Sequence, residues 1–332
     1  MLPSKALVVA HSAGVLAPVS VANRPLLAHA LEWLSAGGAV EVAILADPLL
    51  APCAKASVAS SGRRVDAHWI ERDSGGGSGV PLAAITEFMR GEPFILHLAD
   101  SLARQPLRAL ESQLTPAQDD EVVVATLAGA ESDVVIDLHE RRRAERFAGI
   151  AAVGRGAHNV LTALGSTSDP SLDGLALRAR QGGASVRTFA MEPSWRLRPG
   201  ARALLDGNRF ALESLRADHD RATVVGAEIQ GPVVLDTTAH VESSLIRGPV
   251  IVGPRARIRE AYIGPYTSIA SDAFIEGAEI EHSIVLDGAS VMHLGTRLEA
   301  SIIGPHARLF RDFRLPKALR VQVGLGAEVV LA

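Results

Sequence analysis

The chain has 332 residues, about twice a typical ~150-residue domain, so two domains are the natural expectation. Apolar residues make up 48% and charged residues 21%, enough for large cores and incompatible with a disordered or fibrous chain. A net charge of −4 gives no bulk attraction to nucleic acid, and Cys53, the only cysteine, excludes an internal disulfide, a Cys-based zinc site and an iron–sulfur cluster.

The first apolar run, Ala6–Ala10, reads as a buried strand. With Lys5 and the small residues Val19-Ser20-Val21-Ala22 it has the outline of a secretory signal, but His11, Ser12 and Pro18 interrupt it, and a cytoplasmic protein is expected. No apolar run approaches the ~20 residues of a membrane span. Asn23-Arg24-Pro25 opens a helix over Leu26–Leu34, with proline in the first turn, and Gly37-Gly38 ends it. Strands follow at Val40–Leu45 and Val65–Ile70, a helix at Pro81–Met89, a strand at Phe94–Leu98, a helix at Leu107–Leu114 and a strand at Val122–Leu127. Such alternation predicts βαβ units around a mostly parallel sheet. Ligands of such sheets sit beyond the carboxyl ends of the strands, so the segments after Ala10 and after Leu98 are where chemistry is expected.

Near residue 220 the pattern changes, dividing the chain into 1–220 and 221–332. Ile229, Ile246, Ile263 and Ile280 recur every 17 residues, as do Leu235, Val252 and Ile269, and Val241, Ile258 and Ile275. Within a coil the aliphatics step by six, six and five residues, a hexapeptide pattern that predicts a left-handed parallel β-helix with one aliphatic per short strand pointing inward. The beat weakens after Val291 and returns at Ile302-Ile303-Gly304-Pro305. An antiparallel sandwich does not explain a register held over three steps.

Several segments resemble the long form of the glucose-1-phosphate thymidylyltransferases: Val21-Ala22-Asn23-Arg24-Pro25-Leu26-Leu27, Asn208-Arg209 with Glu213, Ile246-Arg247-Gly248-Pro249-Val250, Ile263-Gly264-Pro265-Tyr266-Thr267-Ser268-Ile269 and Ala278 to Leu286. The resemblance implies a Rossmann-like nucleotidyltransferase α/β domain followed by a left-handed β-helix. It also implies the joining of a nucleoside triphosphate to a sugar 1-phosphate, with release of pyrophosphate and Mg²⁺ on the phosphates. Two anions must meet, so such catalysis is positioning plus cationic stabilisation.

Against that pattern the phosphate loop is damaged. Where the family has a glycine-rich loop with an arginine and then a lysine, this chain reads Ala10-His11-Ser12-Ala13-Gly14-Val15-Leu16, several residues short. Lysine occurs only at Lys5, Lys55 and Lys317, and the lysine position of the family falls near Leu16. Asp100, ending Phe94–Asp100, corresponds to the first metal-binding aspartate. The second should follow a tryptophan, but Trp195-Arg196-Leu197-Arg198-Pro199-Gly200 puts Leu197 there. Arg24, Arg196 and Arg198 are therefore the candidate replacement cations. His11, Ser12, Gly14 and Gly79 of Gly75-Gly76-Gly77-Ser78-Gly79 are the candidate nucleotide contacts. Asp100 is the candidate metal ligand of an incomplete Mg²⁺ site. Arg141-Arg142-Arg143 could grip phosphate but reads more simply as a solvated face.

Three functions fit. The first is a catalytically impaired homologue that binds a nucleotide or nucleotide sugar, or an active paralogue, as a regulatory or assembly subunit. The second is a divergent active nucleotidylyltransferase. The third is a hexapeptide-repeat acyltransferase using His240, His282, His293 or His306. A homo-oligomer is expected from the resemblance; a nucleic-acid or membrane partner is not.

Overall fold

The computed structural model describes residues 3–10, 20–46, 52, 55, 66–71, 82–115, 119–128, 145–155, 179–198 and 200–313. The chain separates into two compact units, Met1–Ser214 and Leu215–Ala332, each with its own core.

The first unit is built on a seven-stranded sheet. In chain order its described strands are β1 (Lys5–Ala10), the short pair β2 (Ser20–Val21) and β3 (Arg24–Pro25), β4 (Glu41–Ala46), β5 (Asp66–Glu71), β6 (Phe94–Leu98), β7 (Ser101–Ala103), β8 (Glu121–Ala128), β9 (Glu145–Val153), β10 (Ser185–Ala190) and β11 (Ser194–Arg196). The helices are α1 (Leu26–Gly37), α2 (Leu82–Met89), α3 (Leu107–Glu111) and α4 (Ala201–Leu212). Sheet order is β10-β8-β9-β6-β1-β4-β5. β1 is parallel to both β4 and β6, as the alternation of apolar runs predicts, but β9 runs antiparallel between β6 and β8.

Strands buried on both faces read as nearly continuous apolar runs, and β1 from Ala6 onward shows why. Ala6 and Val8 pack with Leu27, Leu31 and Leu34 of α1 and Leu107 and Leu110 of α3 on one face. Leu7 and Val9 pack with Ile85 and Met89 of α2, Leu96 and Phe147 on the other.

Local departures from the sequence expectation have local causes. Pro25 sits at the N-cap rather than inside α1, because Ala22 and Asn23 take positive φ and turn β2 back onto β3. α1 ends at Gly38, whose φ of 105° suits a residue without a Cβ. α3 stops at Glu111, short of Leu114, and Thr115 N–H is instead taken by Glu121 Oε2 at 2.6 Å.

The second unit is the left-handed β-helix. Three parallel sheets of six, five and five strands form its faces. Ile229, Ile246, Ile263 and Ile280 stack in register on one face, and Leu298 continues the stack. The weakening after Val291 is now explained. The spacing shortens to five residues between Ile280 and Val285 and lengthens to seven between Val291 and Leu298, yet Val291 still pairs with Leu309 and Val285 with Ile303. Corners take left-handed backbone at Ser243, Glu260 and Gly277, one coil apart, and at Arg255, Asp272 and Gly288.

Candidate functional site

The chain runs from β1 out to β4 and β5 before returning to β6 on the other side of β1, so strand order reverses at β1. The carboxyl edge of such a reversal is where open α/β sheets place ligands. There, Ala99 N–H donates to Val9 O at 3.0 Å and Ser101 Oγ donates to Leu98 O at 2.8 Å, fixing the Ala99-Asp100 turn between β6 and β7. Gly149 of β9 lets the turn come close. Its φ is 85°, and a Cβ there would lie 2.7 Å from Ser101 Oγ.

β11 lies antiparallel on β7 with Arg196 opposite Ser101, and Leu197 N–H donates to Asp100 O at 2.8 Å. This pairing brings the Arg196 side chain onto Asp100, with Nε 3.3 Å from Oδ2. The Arg196 side chain is 12% exposed and that of Asp100 is 34% exposed. Its guanidinium carbon also lies 5.6 Å from the Phe147 ring centroid, and Nη1 is 3.5 Å from Phe147 O. A planar guanidinium held by a carboxylate and an aromatic face is well fixed, and a desolvated pair is screened less than a surface one. Leu197 points the other way in energetic terms. It packs with Val21, Leu26, Leu102, Leu204 and Phe210.

α4 braces this arrangement. Gly207 lies against Trp195, where a Cβ would fall 2.5 Å from the indole ring. Buried Asn208 accepts the Ala22 N–H at 2.8 Å through Oδ1, pinning the tight β2–β3 turn. Arg104 donates to Phe210 O and, at 2.7 Å, to Glu213 Oε2, with its guanidinium 4.3 Å from the Phe210 ring centroid. The Arg104 hydrogen bond, helped by Arg209, holds the Glu213 carboxyl below its usual range.

Of the sequence candidates, Asp100 and Arg196 are brought together. Arg24 is instead paired with Glu32 of α1. Arg198 is exposed and, among the described residues, makes no ion pair. His11, Ser12, Gly14, Gly79 and the arginine run at 141–143 lie outside the described residues. Lys5 is buried at the opposite end of β1, with Nζ on Phe88 O at 2.9 Å and Glu92 Oε1 at 3.0 Å, so it is not a substitute for the missing phosphate lysine. Phe147, Gly149 and the role of Asn208 escaped the sequence reading. Only the glycine had a signal, as a glycine inside an apolar strand run.

Mg²⁺ requires an oxygen shell, usually one or two carboxylates plus substrate phosphates. Here one carboxylate is contacted at Oδ2 by a guanidinium, and Leu197, at the position where the resemblance expects the second, is an apolar side chain in a packed cluster. Among the described residues around Asp100, the set is incomplete for the ion. In the β-helix, Glu281, His282 and Glu299 bring potential ligand atoms within 4.8 Å of one another, but Arg297 Nη1 already lies 3.2 Å from Glu281 Oε1. His282, His293 and His306 occupy left-handed corners, with φ of 47°, 53° and 57°; the His293 and His306 rings lie against Gly277 and Gly288 of the preceding coil, and the His282 ring centroid lies 5.2 Å from that of Tyr266.

No family model matches the chain. Two curated glucose-1-phosphate thymidylyltransferases are similar along nearly its whole length. That of Streptomyces griseus is 25% identical over 92% of this chain and 90% of its own, and that of Streptomyces antibioticus is 26% identical over the same shares. A solved Bacillus anthracis chain assigned as a glucose-1-phosphate thymidylyltransferase, in complex with a sucrose, covers 62% of this chain and 94% of its own with a TM-score of 0.50 and 14% identity; it supports the fold.

Proposed function

We propose, from its similarity to glucose-1-phosphate thymidylyltransferases, that this chain is a nucleotidyltransferase homologue that binds a nucleotide or nucleotide sugar at the carboxyl edge of its sheet and turns it over poorly. The observation that supports this most is the ion pair between Arg196 and Asp100, with Leu197 beside it in an apolar cluster. The reaction of such relatives brings a sugar phosphate onto a nucleoside triphosphate. Charge repulsion between the two anions dominates its barrier, and loss of even one preorganised electrostatic partner costs about 10²–10³ in rate. Two of the three candidate cations are already engaged, Arg24 by Glu32 and Arg196 by Asp100, and the third, Arg198, is an exposed side chain two residues past Arg196. A role as a regulatory or assembly subunit, in a homo-oligomer or beside an active paralogue, follows from this reading.

The test is a pyrophosphate-release assay with dTTP or UTP, glucose 1-phosphate and Mg²⁺, run beside calorimetric titration of dTDP, UDP and their glucose esters. Binding without measurable pyrophosphate is expected. Steady turnover that Asp100→Ala abolishes would instead establish the divergent active enzyme.

A further inference from the structure

We infer that the site at the end of β6 takes its ligand free of divalent metal, because Arg196 occupies Asp100 where a cation would otherwise bind. The ligand class is the uncomplexed nucleoside diphosphate or its sugar ester. The identity of that ligand rests on the proposed nucleotide-binding reading; the electrostatic part does not.

The argument is one of charge and of immobility. A carboxylate attracts a divalent ion only to the extent that its own charge is uncompensated, and Arg196 Nε stands 3.3 Å from Asp100 Oδ2. The guanidinium offsets the charge of that carboxylate. A second carboxylate that could outweigh the guanidinium is replaced by Leu197, which is committed to the cluster with Val21, Leu26 and Leu102. Nor can Arg196 readily swing aside. Its backbone is paired to Ser101 across β7 and β11, and its head is mostly buried against Phe147. Leaving Asp100 would take the guanidinium away from a carboxylate at a poorly solvated position. An incoming ion would have to settle beside a fixed positive charge.

Two series on the full-length chain test this. In the first, dTDP, UDP and their glucose esters are titrated calorimetrically in Mg²⁺ and in EDTA; affinities within about twofold are expected, and a tightening by Mg²⁺ of tenfold or more would overturn the inference. In the second, Mn²⁺ alone is titrated and followed by water proton relaxation. Wild type and Asp100→Asn should be indistinguishable. Arg196→Met, with Arg196→Gln as a milder variant if the first folds poorly, should gain a Mn²⁺ site about tenfold tighter, which Asp100→Asn in the same background removes. Mn²⁺ binding that Asp100→Asn abolishes in the wild type, or no gain in either Arg196 variant, overturns it. If no nucleotide binds in either buffer, the proposed function falls while the Mn²⁺ series still decides whether Arg196 closes the site to metal.

Discussion

His97 shows how a single side chain sets pH behaviour without touching the site. It lies on β6, 1% exposed, with the Trp33 ring centroid 5.5 Å away. Burial pulls its pKa down to about 4, against a smaller raising effect of the Leu98 backbone. Between the ordinary histidine pKa of about 6.5 and that value, the unfolded chain binds a proton that the folded chain refuses. Stability is therefore lost as pH falls through this window, by up to about 3 kcal/mol. His97→Leu should flatten the decline, read as urea midpoints between neutral pH and the folded pKa; an unchanged slope rejects the assignment. Glu111 has the opposite sign. It is 3% exposed and neither carboxylate oxygen has a hydrogen-bond partner among the described residues, so burial raises its pKa while Arg108 opposes. A raised carboxyl pKa means stability falls as pH rises through it. Glu111→Met should stabilise by about 1–2 kcal/mol at neutral pH, with the gain shrinking toward the ordinary carboxylate range. A thermal melt series across that range checks it.

At the scale of elements, α4 and the coil stack make contrasting predictions. Gly→Ala inside a helix ordinarily gains about 1 kcal/mol. At Gly207 the new Cβ would meet the Trp195 ring at 2.5 Å, so overpacking should win and Gly207→Ala should lower the melting temperature, at a cost of about 1–3 kcal/mol. Asn208→Ala should cost a similar amount for another reason: Ala22 N–H, held at 2.8 Å, would be left buried and unpaired. In the β-helix, Ile263 is fully buried between Ile246 and Ile280, so Ile263→Ala should cost about 2–5 kcal/mol. Ile303, half-buried in the last described coil, should cost less. Equal midpoints for the two variants would argue against a continuous stack.

At the scale of the molecule, Met1–Ser214 and Leu215–Ala332 have separate cores, and Trp33, Trp69 and Trp195, the only tryptophans, all lie in the first unit. Tryptophan fluorescence should therefore follow that unit alone while far-ultraviolet circular dichroism follows both. Ile263→Ala should shift the dichroism transition and leave the fluorescence midpoint in place; a shift of both together would show a single cooperative unit. The amino-acid order itself determined the β-helix, because a 17-residue aliphatic period can be buried only by stacking one coil on the next. It likewise determined β1, β4, β5, β6, α1 and α2, whose apolar runs and glycine stops are written locally. It also shows Leu197 and Leu16 at the positions where the resemblance expects a carboxylate and a lysine. The tertiary structure alone decided that β9 inserts antiparallel between β6 and β8 and that Arg196 closes on Asp100. Those residues are 96 positions apart, and nothing in either segment encodes the other. Their meeting depends on which edge β11 pairs with, a choice made by packing of the whole sheet and α4, and it is that choice that turns a candidate replacement cation into the partner of the candidate metal ligand.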